Sequence, residues 1–99
     1  MYQVKKTEQF IKWMKNLRDV YAKSRINNRL KHVELGSLGD SKSVGDGVFE
    51  MRIDYGPGYR LYYMNVNGEM IFLLIGGDKS TQQRDIEKAK ELKKELNNG

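Results

Sequence analysis

Between Val48 and Tyr55 apolar and polar residues alternate. Phe49, Met51, Ile53 and Tyr55 fall on one face, and Glu50, Arg52 and Asp54 on the other. A period of two marks a strand with one buried and one wet face. Gly56-Pro57-Gly58 follows, with Pro57 expected at the first turn position because its ring presets φ. The run from Tyr59 to Val66 sets Leu61 and Tyr63 against Arg60, Tyr62 and Met64. Asn67-Gly68 then predicts a type I′ hairpin turn. Met70 to Ile75 is apolar without alternation, which predicts a strand covered on both faces and placed inside the sheet. These runs form an antiparallel meander, and the rest of the chain is organised around it.

The flanking segments change period. Tyr2 and Val4 alternate with Gln3 and Lys5, which predicts a short first strand. Thr7 is placed to cap a helix whose stripe is Phe10, Trp13, Met14 and Leu17. Asp19 caps a second, with Ala22, Ile26, Leu30 and Val33 as its stripe and Gly36 at the stop. A join this short predicts an antiparallel helical hairpin. Gly36 to Gly47, rich in Gly, Ser and Asp, reads as a loop carrying Lys42. Ser80 and Gln83 have capping-box spacing, and Ile86, Ala89, Leu92 and Leu96 make a thin stripe on a last, short helix. Its other side interleaves Lys and Glu, the pattern of a solvent-exposed face, and Asn97, Asn98 and Gly99 are expected to fray. The fold class expected is α+β, in one domain spanning residues 1–99.

Composition narrows the chemistry. With no cysteine there is neither a disulfide framework nor a thiolate metal site, and one histidine, His32, argues against a His-built metal centre or a Ser-His-Asp triad. No metal or cofactor is expected. The net charge of +5 and pI near 9.5 favour an acidic partner such as nucleic acid or an acidic protein. The first residues have no apolar signal region, and Met70 to Ile75 is too short to span a bilayer, so the expected location is the cytoplasm, away from membrane.

Three features are candidates for a site. The polar face of the meander carries Glu50, Arg52, Arg60 and Tyr62, either as an open functional surface or as a solvated face with Glu50 and Arg52 paired. The second helix carries Lys23, Arg25, Arg29 and Lys31, either a solvated face or a phosphate-contacting one. The corner Gly76-Gly77-Asp78-Lys79-Ser80-Thr81 joins a strand to a helix start, where free N–H groups attract anions. It is not a Walker A loop: the spacing is wrong and the βαβ context is absent.

The order of elements, and the strings Gly39-Asp40-x-Lys42-x-Val44-Gly45-Asp46-Gly47-Val48-x-Glu50-x-Arg52, Tyr55-Gly56-Pro57-Gly58-Tyr59-Arg60-x-Tyr62 and Leu73-Leu74-x-Gly76-Gly77-Asp78-Lys79-Ser80-Thr81-Gln82, resemble the RelE/ParE toxin superfamily. Within it they are similar to the addiction-module killer proteins of the phage Gp49-like or HigB-like branch, over essentially the whole chain. The resemblance implies a RelE-like fold and the toxin half of a type II toxin–antitoxin system. It implies a helix-turn-helix antitoxin as partner, and operator DNA bound only through the pair. Relatives enter the ribosome and cut mRNA by attack of a ribose 2′-hydroxyl on the adjacent phosphate.

That chemistry needs a base, positive charge for the phosphorane and a proton for the leaving oxygen. Arg60 aligns with the arginine opening the Tyr-Arg strand of ribonuclease relatives. Glu50 and Arg52 stand where RelE carries two lysines, and the aromatic or histidine that several relatives use after the last strand is absent. The assignment that follows makes Glu50 the general base and Arg52 and Arg60 the charge stabilisers. Lys42 and Lys79 grip phosphate, with Lys79 also the candidate general acid. Tyr62 stacks on a base, and Asp78, Arg25 and Arg29 complete the RNA-contacting set. The alternative on the same fold is a ParE-like, non-enzymatic inhibitor of DNA gyrase. A third is a toxin-fold protein that persists mainly as its antitoxin's partner.

Overall fold

The computed structural model describes residues 1–98. The elements run β1 (Gln3–Lys6), α1 (Glu8–Asn16), α2 (Val20–Glu34), β2 (Ser41–Gly45), β3 (Val48–Ile53), β4 (Tyr59–Val66), β5 (Met70–Asp78), a 3-10 turn (Lys79–Thr81) and α3 (Gln82–Asn98). The strands form one sheet in the order β1-β5-β4-β3-β2. β1 is parallel to β5 and every other pairing is antiparallel.

The expected meander is β3-β4-β5, with the Asn67-Gly68 turn in place, both residues at positive φ (56° and 72°). β5 sits between β1 and β4, which is why its apolar run does not alternate. In the Gly56-Pro57-Gly58 turn the Gly58 N–H donates to the Tyr55 carbonyl (3.1 Å), so Gly56, at φ 55°, takes the first central position and Pro57 the second. The segment expected to be a loop contains β2, paired with β3 through a tight turn in which Asp46 and Gly47 both have positive φ (54° and 77°). Asp-Gly is as good a type I′ turn as Asn-Gly.

Thr7 and Asp19 cap α1 and α2 as expected. The Thr7 hydroxyl accepts from the Phe10 N–H (3.0 Å) and donates to the Leu74 carbonyl (2.6 Å). That second bond ties α1 to a bulge in β5, where Leu74 has no partner because Tyr62 faces Ile75 and Tyr63 faces Leu73. The capping box at Ser80 does not form. Asp78 caps the 3-10 turn instead, its carboxylate accepting from the Ser80 N–H (2.8 Å). α3 runs through 17 residues and includes Asn97 and Asn98; Gly99 lies outside the described residues.

The sheet is covered on both faces. Phe10, Ala22, Ile26, Leu30 and Val33 pack with Met51, Ile53, Leu61, Tyr63, Ile71 and Leu73 on the α1/α2 side. Ala89 and Leu92 of α3 pack with Val48, Tyr62 and Leu74 on the other. The face expected to be wet is therefore a second, smaller core. The glycines at the corner have a packing reason. A Cβ on Gly76 would run into the Trp13 indole, and one on Gly77 into the Asp85 carboxylate, so helices on both sides press against bare backbone. No helix among the described residues is long and apolar enough to cross a membrane.

Candidate functional site

Antiparallel register sets the charged residues in rows. Glu50 lies opposite Tyr62 and Lys42, and Arg52 lies opposite Arg60, which in turn faces Gly77. Directly opposed residues share a face, so both rows lie on the α3 side. α3 covers the first row and leaves the second open. There a cleft of about 450 Å³ is walled by the Gly56-Pro57-Gly58 turn, with Ile53 and Tyr59 as apolar lining and Asp40, Asp54, Arg52, Arg60 and Lys79 as its charged groups. A hollow of similar size, about 450 Å³, lies against the outer side of α3, but its Lys and Glu residues interleave and one of them, Lys90, is tied to Asp46 at 3.4 Å. The first cleft sets three cations against two carboxylates, with Arg52 and Arg60 directly opposed, whereas the second has three of each.

Arg52, Arg60 and Lys79 are thus brought together as the sequence suggested. Arg52 is half exposed and paired with Asp40, through Nη2 at 2.9 Å and Nε at 3.3 Å. The hydrogen bond from Arg52 holds the Asp40 carboxyl below its ordinary range, and the carboxylate in turn raises Arg52. Asp40 was missed as a site residue because twelve positions separate it from Arg52 and no local period links them. Arg60 is nearly enclosed, with a side chain 13% exposed, and its Nη1 donates to Glu50 at 3.4 Å. Its Nε is buried without a hydrogen-bond partner.

Other candidates fall elsewhere. Glu50 is not on an open surface: it is 0% exposed. Its carboxylate accepts from Gln82 Nε2 (2.7 Å) and the Tyr62 hydroxyl (3.4 Å) as well as from Arg60, and it is not paired with Arg52. A ribose hydroxyl does not reach it, so the general-base assignment does not fit. Tyr62 is also 0% exposed and cannot stack on a base. Burial and the adjacent Glu50 push its phenol well above the usual range, so it stays an O–H donor. Gln82, marked in the sequence only by its place at the end of the third string, proves to be the closest partner of Glu50.

Arg29 does not serve as a phosphate contact. Its guanidinium donates to the main-chain carbonyls of Arg52 (2.7 Å), Leu38 (3.1 Å) and Asp40 (3.1 Å), and burial lowers its pKa. Arg25 lies 4.6 Å over the Tyr55 ring, whose hydroxyl donates to Asp19 (3.2 Å). Lys42 is exposed at the sheet edge, outside the cleft lining. Asp78 is spent on its cap.

Residues 12–94 match the model of the family described as phage-derived protein Gp49-like. A Haemophilus influenzae protein, itself uncharacterized, is 52% identical over 94 residues, covering 95% of each chain. Among solved structures, a chain of the intact Escherichia coli RelBE toxin–antitoxin complex superposes with a TM-score of 0.65 at 20% identity, over 79% of this chain and 96% of that one. The isolated E. coli RelE toxin gives a TM-score of 0.64 at 17% identity, over 88% and 97%. At such identity these structures establish the fold: an α+β sheet-and-helix arrangement shared with RelE.

Proposed function

The chain belongs to the phage-derived Gp49-like family and has the RelE fold, and from that premise we propose that it is the toxin of a toxin–antitoxin pair and cuts mRNA on the ribosome. The observation that carries this is the opposed pair Arg52 and Arg60, with Lys79 beside them, on the stretch of sheet that α3 leaves uncovered. Like charges directly opposite one another destabilise a sheet. A row that keeps them beside a polar cleft is suited to a phosphodiester, whose charge rises in the transition state.

In this reading the 2′-oxygen of one ribose attacks the adjacent phosphorus. The P–O5′ bond breaks, leaving a 2′,3′-cyclic phosphate and a 5′-hydroxyl that takes up a proton. Arg60 and Arg52 stabilise the phosphorane and Lys79 grips the phosphate and protonates the leaving oxygen. Asp54 is the cleft carboxylate that no cation engages among the described residues, and it takes the proton of the 2′-hydroxyl. The partner that silences the protein is an antitoxin, as in the RelBE complex on the same fold.

The test is a purified translation reaction on a defined mRNA, with cuts mapped by primer extension. Cuts that require ribosomes are expected, with a rate about 10²–10³-fold lower in Arg60→Ala and also reduced in Asp54→Asn. Intact mRNA in the presence of protein that arrests growth would sink the nuclease and turn attention to gyrase supercoiling.

A further inference from the structure

Glu50 is buried on the site's side of the sheet, 0% exposed, and the reaction above gives it nothing to do. It lies on the face of the sheet that carries the second core of Val48, Tyr62, Leu74, Ala89 and Leu92. Burying a carboxylate costs free energy that its partners must offset, and a well-packed apolar residue usually serves stability as well or better. Stability alone therefore does not explain a glutamate here. Its contacts do. Three donors from two elements converge on it: Arg60 and Tyr62 from β4, and Gln82 from the first turn of α3. The shortest of the three is Gln82 Nε2 to Oε2, at 2.7 Å, while Arg60 Nη1 meets the other oxygen, Oε1, at 3.4 Å. The carboxylate is thus held on one oxygen by α3 and presents the other to the arginine. That arginine has one side-chain hydrogen bond among the described residues, this one, and it lines the cleft with its Nε unpartnered.

We propose that Glu50, clamped by Gln82 and Tyr62, is a positioning residue that fixes the Arg60 guanidinium at the cleft, so that the phosphate grip of the sheet depends on the docked first turn of α3. This rests on the reading of the cleft as a phosphate site. One Nη of Arg60 is tied behind the cleft by a charge-assisted bond, which sets the plane of the fork. Nη2, which makes no hydrogen bond and is not enclosed, is left for the ligand, while Nε stays buried. A guanidinium held at one corner loses less entropy when phosphate arrives, and a misplacement of about 1 Å at such a group costs on the order of a hundredfold in rate.

The experiment compares wild type, Glu50→Gln and Gln82→Ala as full-length chains. Arg60 is followed by its side-chain nitrogen NMR signals, and cleavage by single-turnover and steady-state rates on programmed ribosomes. Both variants are expected to unfold cooperatively. Rotation about the Arg60 Nε–Cζ bond should speed up so that the Nη signals merge. kcat should fall about a hundredfold while KM for ribosomes changes little. Gln82 is only half-buried, so Gln82→Ala carries the test if Glu50→Gln fails to fold. Restricted Arg60 signals persisting in a folded variant would overturn the proposal. So would an unchanged kcat where Arg60→Ala is inactive. If wild type itself cuts nothing, the nuclease reading falls, and the NMR comparison alone decides whether Glu50 positions Arg60.

Discussion

Arg52 and Arg60 stand opposite each other on β3 and β4, and each has its own carboxylate. The two pairs are not equivalent. Glu50 holds Arg60 from inside the protein, whereas Asp40 holds Arg52 from the solvent side, with 57% of its side chain exposed. A phosphate entering the cleft competes with Asp40 for Arg52. The Arg52 hydrogen bond depresses the Asp40 pKa in the folded state. The stability this pair contributes is therefore fully present above the unfolded-state pKa and is lost as pH falls through the lower folded value. At neutral pH the pair is intact and masks one cation. Asp40→Asn is expected to tighten binding of a short single-stranded RNA. It should also steepen the dependence of log K on log salt by about 0.7, the increment for one further phosphate contact. Fluorescence anisotropy across a salt series measures both, and an unchanged slope would mean that Arg52 does not meet the backbone.

β2 was legible only at its far end. Ser41–Gly45 is short, polar and at the sheet edge, so burial imposes no alternation on it, and the Asp46-Gly47 turn was its one signal. What holds it in place comes from α2. The guanidinium of Arg29 gathers the carbonyls of Leu38, Asp40 and Arg52, which fixes the approach to β2 and also sets the backbone that carries Asp40. In the sequence Arg29 is one more cation on a basic helix. Nothing local distinguishes it from Arg25, because the carbonyls it binds belong to distant residues. Arg29→Ala is expected to lower unfolding free energy by about 3 kcal/mol, since hydrogen bonds from a charged donor are worth more than neutral ones. Arg29→Lys should recover less than half, because an ammonium cannot reproduce the fork. Urea unfolding decides it. Both variants within about 0.5 kcal/mol of wild type would make Arg29 an ordinary surface residue.

At the scale of the whole molecule the sheet divides two unequal cores, and this division was the hardest feature to foresee. Period-two alternation shows that Glu50, Arg52 and Arg60 share a face with Tyr62. It does not show which part of that face a later helix will cover. Strands β1, β3, β4 and β5 and the caps of α1 and α2 followed from local pattern, whereas β2 and the cap at Asp78 did not, and the enclosure of Glu50 and Tyr62 depends on where α3 lands. The inequality has a dynamic consequence. Twelve buried side chains form the α1/α2 core and five the other, where α3 contributes Ala89 and Leu92, with Leu96 41% exposed. A buried leucine is worth about 1.5–3 kcal/mol, so α3 is held by one such anchor together with Ala89, the half-buried Ile86, the Gln82–Glu50 bond and the Lys90–Asp46 ion pair. Native-state hydrogen exchange should find the α3 amides opening together, at a free energy at least about 2 kcal/mol below that of β5. Their dependence on denaturant should be shallow, because little surface is exposed in that opening. Leu92→Ala should widen the gap and, by releasing Gln82, also loosen the Arg60 guanidinium. Amides of α3 and β5 converging on one free energy would mean that the molecule opens only as a whole, with no independent motion of the helix that closes over Glu50.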